Sequence, residues 1–428
     1  MNPLFILFTL LIFYAAPAQA QNVLKAEQEL YKIPVGERIH PELQADGLAS
    51  RGFIYKPRLN ITGAYDSNVR GLKNQDDSDY SLSVKPELYL QKKYNAHILN
   101  GFFGAELKRF AKLDDENQTN IKSYLRGLFD INSRWSIPAH LSYSSQARSR
   151  DLPQSQAISQ SPESVQNVEG SLGITRRFNR LSVSAISKVN DITHGDGNAL
   201  IGGAPIIYSD QDRKVFSGAL RTRYEFLRGS DGAPEHVAFF DLKYEDQNYE
   251  KNDFVAGTFS GLSGDNKRMG IFGGFETKYK GILFANIGAG FTSVDFNDSG
   301  LEDTDLFTLN SEVSYMITPK TNLSFDAYRQ INQNNDFIQG FKDSGFALGI
   351  DYEARHNLYL GAKAGYGLYD FIGNSREDDN YTSNLTLRYL NSHKLETHLG
   401  YKYFKRNSSD QAQDYDRHTI LLSLIGKL

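Results

Sequence analysis

From Phe53 to Leu428 the chain alternates apolar and polar side chains in short runs, each closed by turn-forming residues. In Ser81–Leu90 the even positions are apolar (Leu82, Val84, Pro86, Leu88, Leu90) and the odd ones mostly polar. Leu306–Ile317 sets Phe307, Leu309, Val313 and Tyr315 on one face, against Thr308, Asn310, Glu312 and Ser314 on the other. Ile121–Phe129 alternates less strictly and keeps its basic residues on one face. A two-residue period sends successive side chains to opposite faces of a strand, whereas an amphipathic helix needs a 3.6-residue period. The pattern predicts strands at 53–65, 78–91, 95–110, 118–131, 136–147, 163–178, 180–192, 211–226 and 236–249. It continues with 267–279, 282–296, 304–317, 320–332, 341–354, 356–370, 379–390, 394–406 and 414–428.

The connections alternate in length. Lys92-Lys93-Tyr94, Asn132-Ser133-Arg134, Phe178-Asn179, Lys280-Gly281, Thr318-Pro319-Lys320, Arg355-His356-Asn357 and Asn391-Ser392-His393 read as short turns, with Arg228 to Glu235 a longer exception on the same side. Between them lie longer segments rich in Asp, Asn, Ser and Gly: 66–77, 146–162, 193–210, 250–266, 297–303, 333–340, 371–378 and 407–413, with a shorter acidic connection near Asp114. Tight turns at one end and longer loops at the other are the signature of an all-β, transmembrane, antiparallel up-and-down β-barrel. The expected architecture is about 18 strands, with 16 open if two weaker segments merge. An even count puts both barrel termini on the periplasmic side. A β-sandwich would repeat strands every 8–12 residues or so, and no propeller repeat is visible.

The mean hydropathy of −0.48 looks soluble, but a barrel hides from such averages because only alternate residues face lipid. Beyond the first twenty residues no apolar run approaches the roughly 20 residues of a membrane helix. Residues 1–20 read as a signal peptide, with an apolar core from Leu4 to Ala16 and Ala18-Gln19-Ala20 as an A-x-A cleavage site, although Met1-Asn2-Pro3 carries no basic residue. Residues 21–51 read as a periplasmic N-terminal arm that is either a disordered leader or a segment entering the lumen. The barrel then occupies 52–428, ending in Leu428 where an aromatic residue is the usual terminus. The chain has no Cys, which suits an oxidising compartment.

A barrel of this size encloses an aqueous lumen unless something fills it. Charges on the lipid face cost about 2–4 kcal/mol at the midplane, so the charged parity is expected inside. Candidate lumen-lining residues are Lys85, Lys122, Arg126, Arg177, Arg213, Arg221, Arg223, Lys243, Glu245, Arg268, Glu276, Glu312, Lys363, Arg388 and Lys402. The bland reading is a solvated wall of cross-strand ion pairs. The sharper one is a selectivity lining, with Arg221, Arg223 and Arg126 as a basic ladder for anions. Tyr65, Tyr80, Tyr89, Phe110, Tyr143, Phe226, Tyr279, Phe296, Tyr315, Tyr352, Tyr389 and Tyr403 lie near strand ends and suit interfacial girdles. In the lumen, aromatics would instead stack on sugar rings.

Catalytic and metal chemistry find little support. The 9 His are scattered, with neither H-E-x-x-H nor G-x-S-x-G. His140 and Ser142 share a face, but no acid completes a triad. The acidic clusters at 76–79, 114–116, 302–305 and 377–379 lack calcium-loop spacing. The reading is therefore no enzyme, no cofactor and no metal, and the net charge of −4 disfavours nucleic acid.

The segment Gly52 to Val69 opens on an aromatic-Pro strand and closes on Tyr65-Asp66-Ser67-Asn68-Val69. It resembles the first strand of the putative outer-membrane β-barrel porin family associated with exopolysaccharide biosynthesis and export. Tyr65, Asp66, Asn68 and Val69 match the family's Tyr-Asp-x-Asn-Val step into the first outer loop. That resemblance implies a barrel in the outer membrane of a Gram-negative bacterium, serving as a conduit for exopolysaccharide secretion. The alternatives are a general diffusion porin for small solutes, which a loop folded into the lumen at 146–162 or 193–210 would favour, and a plugged barrel acting as adhesin or anchor. Expected partners are outer-membrane lipid and lipopolysaccharide, the barrel assembly machinery, the polysaccharide and periplasmic export proteins.

Overall fold

The computed structural model describes residues 35, 43–73, 77–153, 159–228, 234–251, 254–255, 258–259, 261–279, 281–332 and 339–428. The expected signal peptide and most of the arm lie outside the described residues. The alternating segments form β1 (Phe53–Asp66), β2 (Asp79–Tyr94), β3 (His97–Phe110), β4 (Gln118–Asp130), β5 (Trp135–Ala147) and β6 (Ser164–Arg177). They continue as β7 (Leu181–Gly195), β8 (Arg213–Arg228), β9 (Pro234–Tyr249), β10 (Asn266–Tyr279), β11 (Leu283–Phe296) and β12 (Thr304–Thr318). The last six are β13 (Thr321–Asn332), β14 (Phe341–Arg355), β15 (Leu358–Phe371), β16 (Glu377–Ser392), β17 (Leu395–Ser408) and β18 (Tyr415–Lys427).

Each strand pairs antiparallel with the next, and β1 pairs with β18 from Arg58↔Lys427 to Asp66↔Thr419. The sheet therefore closes with 18 strands, and the 16-strand alternative falls away. Closure abolishes the sheet edges that would otherwise leave backbone groups unpaired in lipid. Strands of 12 to 16 residues exceed the roughly 9–11 needed to cross a bilayer at a tilt.

The seam has a specific repair. β18 meets β1 only from Arg58 onward, which leaves Phe53–Tyr55 as an edge. Leu48–Ser50 folds back and pairs with those three residues. The turn between them is Arg51-Gly52, both at positive φ (50° and 78°), the backbone of a two-residue hairpin turn. Terminal Leu428 donates its N–H to the Pro57 carbonyl at 3.2 Å.

Two of the short turns begin two or more residues later than expected. β2 runs through Lys92-Lys93-Tyr94, and the chain reverses at Asn95-Ala96, with Asn95 at φ 50°. β16 likewise runs through Asn391-Ser392, so the turn is His393-Lys394. At the first of these turns Asn95 takes the left-handed region, which Asn adopts more readily than Lys or Tyr. At the other end the long loops carry structure of their own: Gly197–Asn198 pairs with Pro205–Ile206, and Phe254–Val255 with Thr258–Phe259.

Candidate functional site: the lumen and its outer mouth

The two faces of the wall separate cleanly. Leu82, Phe103, Leu125, Leu141, Leu172, Phe216, Ile271, Phe291, Leu348, Leu385 and Leu422 are exposed on the outer parity. All fifteen candidate lumen residues occupy the alternate parity of their strands, and cross-strand pairing joins many of them to carboxylates. Arg221 holds Asp241 with two bonds of 2.6 and 2.5 Å, and Arg223 holds Glu276 with bonds of 3.0 and 2.5 Å. Arg177 lies 3.8 Å from Asp130, Lys363 2.6 Å from Asp326, and Arg388 3.1 Å from Glu396. Lys85 pairs with Glu87 at 3.3 Å, and Arg268 sits 4.0 Å from Glu245. The Arg221–Arg223 pair is thus not a bare basic ladder, because each guanidinium carries a bidentate carboxylate that cancels its charge locally.

The remaining candidates sit differently. Arg213 packs over Tyr249 at 5.5 Å, and Lys243 over Phe272 at 5.9 Å. Lys122 and Arg126 flank an aromatic row on β2, β3 and β4. Glu312 and Lys402 lie on the same inward parity, Glu312 opposite Asp326 and Lys402 opposite Asn384.

Three aromatics expected in the girdles turn inward. Tyr89, Phe110 and Phe296 share the parity of the charged residues; Phe110 is buried, and Tyr89 packs on Phe102 at 4.8 Å. Closeness to a strand end says nothing about parity, and parity decides the face.

The described residues of the loop joining β5 to β6, 148–153 and 159–163, reach over the mouth at the loop end. Arg150 is buried and bonds Glu116, itself buried in the β3–β4 connection, at 2.6 Å. Arg70 of the β1–β2 loop reaches the same Glu116 at 3.3 Å. One residue further, Asp151 pairs with Arg417 of β18, and its carbonyl accepts a bond from Arg406 of β17 at 2.6 Å. Arg417 also bonds the carbonyls of Asn68 and Val69 at 2.6 and 2.9 Å. From β5 back to β18 is five strand steps, roughly 24 Å of wall. The loop therefore cuts across more than a quarter of the rim and lands on inward side chains of β17 and β18. At its other limb Ser159 bridges to Ala199, tying it to the β7–β8 loop. The two loops singled out as constriction candidates are thus joined. Desolvation would raise the Asp151 carboxyl, but Arg417, Arg406 and Lys402 together outweigh it and hold that group below the usual carboxylate range.

The opposite mouth also has an occupant. Val35 is buried against Tyr359 and Leu390, with Leu43 packed beside them. Both wall residues lie on the inward parity near the turn end of β15 and β16. The cationic Arg388 sits over the Tyr359 ring at 5.6 Å.

The family described as Putative beta-barrel porin 2 matches residues 40–428. The chain belongs to that family. As a family member it is an outer-membrane β-barrel of the porin type. No curated protein matches the chain. Among solved structures it is similar to a BenF-like porin from Pseudomonas fluorescens (9% identity, TM-score 0.47, covering 87% of this chain and 99% of that one). OccK1 (OpdK) from Pseudomonas aeruginosa gives 9% identity and a TM-score of 0.46, again covering 87% and 99%. The ferric citrate transporter FecA gives 11% identity and a TM-score of 0.46; 83% of this chain covers only 60% of FecA.

Proposed function

We propose that this porin-family member is a hydrophilic solute channel constricted at its outer mouth by the β5–β6 loop. The observation that carries this reading is the Asp151–Arg417 pair with the Arg406 bond beside it, which holds the loop on β17 and β18. A loop held by charge-assisted bonds narrows a pore while leaving its wall wet and polar. Single-channel conductance in planar bilayers tests it: Asp151→Ala in the full-length protein is expected to raise conductance measurably, because the loop loses its anchor. Equal conductance in wild type and variant would sink the constriction.

The exopolysaccharide conduit is the second reading, favoured by the resemblance of Tyr65-Asp66-Ser67-Asn68-Val69 and by aromatics facing the lumen. It requires the loop to swing aside for a polymer. Secreted polysaccharide measured in a deletion strain, with a plasmid-complemented control, separates the two. Loss restored by the plasmid supports the conduit, and unchanged polymer supports the small-solute channel.

A further inference from the structure

An unbroken row of inward side chains crosses the wall where β1 to β4 lie side by side. Register places Lys56 opposite Tyr89, Tyr89 opposite Phe102, and Phe102 opposite Tyr124. The rings follow one another at 4.8 and 5.4 Å between centroids. Phe102 leans over Gly104, where an added Cβ would come within 2.7 Å of its ring. On the turn-end side the next row is Gln91, Asn100 and Arg126. Together Lys56, Tyr89, Gln91, Asn100, Tyr124 and Arg126 line a cleft of about 280 Å³.

The row is not simply wall packing. Tyr89 keeps 38% of its surface open although it faces inward. Among the described residues, the hydroxyls of Tyr89 and Tyr124 and the side-chain amides of Gln91 and Asn100 have no hydrogen-bond partner within the protein. Arg126 commits its Nε to His140 Nδ1 at 3.1 Å and lies 4.8 Å from the Tyr124 ring centre. Its two terminal nitrogens have no partner among the described residues. Lys56, Arg58, Lys85, Lys122 and Arg126 surround the row, with Glu87 set among them and Glu169 behind His140, 3.6 Å from its ring.

We propose that this cleft is a binding subsite for an anionic sugar unit, a pyranose ring bearing a carboxylate. A pyranose offers an apolar C–H face, which the flat rings of Tyr89 and Tyr124 accept. Its hydroxyls, set around the edge, meet the phenol groups and the amides of Gln91 and Asn100. Its carboxylate meets the forked terminal nitrogens of Arg126. A plain aromatic acid would use the rings and the cation but leave four polar groups unanswered. This inference rests on the channel reading, since a solute must reach the cleft through the lumen, and it names the class of solute.

The test uses the full-length protein in detergent. Calorimetric binding is measured for an α-1,4-linked galacturonate hexamer, for maltohexaose and for benzoate, and the hexamer's current blockades are recorded in bilayers. The galacturonate hexamer is expected to bind at least about tenfold tighter than the other two. Tyr124→Ala is expected to weaken it about fivefold, the worth of one aromatic contact, whereas Tyr124→Phe keeps most of the stacking. Arg126→Gln is expected to remove the preference for the uronate over maltohexaose. Gel mobility of unheated samples checks that each variant folds. Equal binding of maltohexaose overturns the recognition of the anion, and equal binding of benzoate overturns that of the sugar ring. Unchanged affinity in the folded Tyr124→Ala and Arg126→Gln variants overturns the site. Conductance without uronate binding removes the subsite and leaves the channel; uronate binding without conductance does the reverse.

Discussion

At the scale of single residues, the outer mouth is governed by a few buried charges. Glu116 accepts from both Arg150 and Arg70, so it holds two loops on one carboxylate. Removing one partner of a buried ion pair costs about 3–5 kcal/mol, because the charge left behind is uncompensated. Glu116→Gln is therefore expected to release the β5–β6 loop, read as faster protease cleavage near 148–153 on intact cells. Asp151 adds a pH dependence. Its pKa is depressed below 3.8 in the folded protein. A depressed carboxylate pKa contributes stability above the unfolded value, and that contribution is lost as pH falls through the folded one. The loop anchor is thus expected to hold at neutral pH and to loosen in strong acid, below pH 3.8. Conductance rising on acidification in wild type, and flat with pH in Asp151→Asn, is the outcome to look for.

At the scale of elements, strand parity carries the argument. It is simplest on β18, where Ile420, Leu422 and Leu424 are half exposed to the lipid side while Arg417, Ser423 and Ile425 turn inward. Leu422→Arg is expected to cost about 2–4 kcal/mol if it lies at the midplane, measured as a lower urea midpoint for unfolding from lipid vesicles. The same element shows how closure is secured. Lys427 and Arg388 both meet Glu396, which is 1% exposed, so three strands share one carboxylate near the turn end. Beyond them, the Leu48–Ser50 hairpin caps the start of β1, which β18 does not reach. That short strand escaped the sequence pattern because three residues carry too little alternation to register a period.

At the scale of the whole molecule, the interior behaves as a balanced wall with one basic stretch. Arg221–Asp241 and Arg223–Glu276 neutralise each other on β8 to β10, while Lys56, Arg58, Lys85, Lys122 and Arg126 gather on β1 to β4. Arg223→Gln is expected to move the reversal potential towards cation selectivity, because Glu276 loses its bidentate partner. An unmoved potential would show that this pair lies off the ion path. A count of about 18 strands, their bounds to within three residues and the end of the barrel at which each turn lies were legible in the sequence. Alternation is a local property, dictated by whether each successive residue meets lipid or water. The charged parity was legible for the same reason. Which charges cancel was not, since Arg223 and Glu276 lie 53 residues apart and are brought together only by register across β9. The chord drawn by Arg150 and Asp151 to Glu116, Arg406 and Arg417 belongs to the same class. The file of Tyr89, Phe102 and Tyr124 does too, for it exists only when three strands lie in one register. Periodicity along the chain set the wall; closure of the sheet decided what meets inside it, because pairs distant in sequence become neighbours only once the strands are in place.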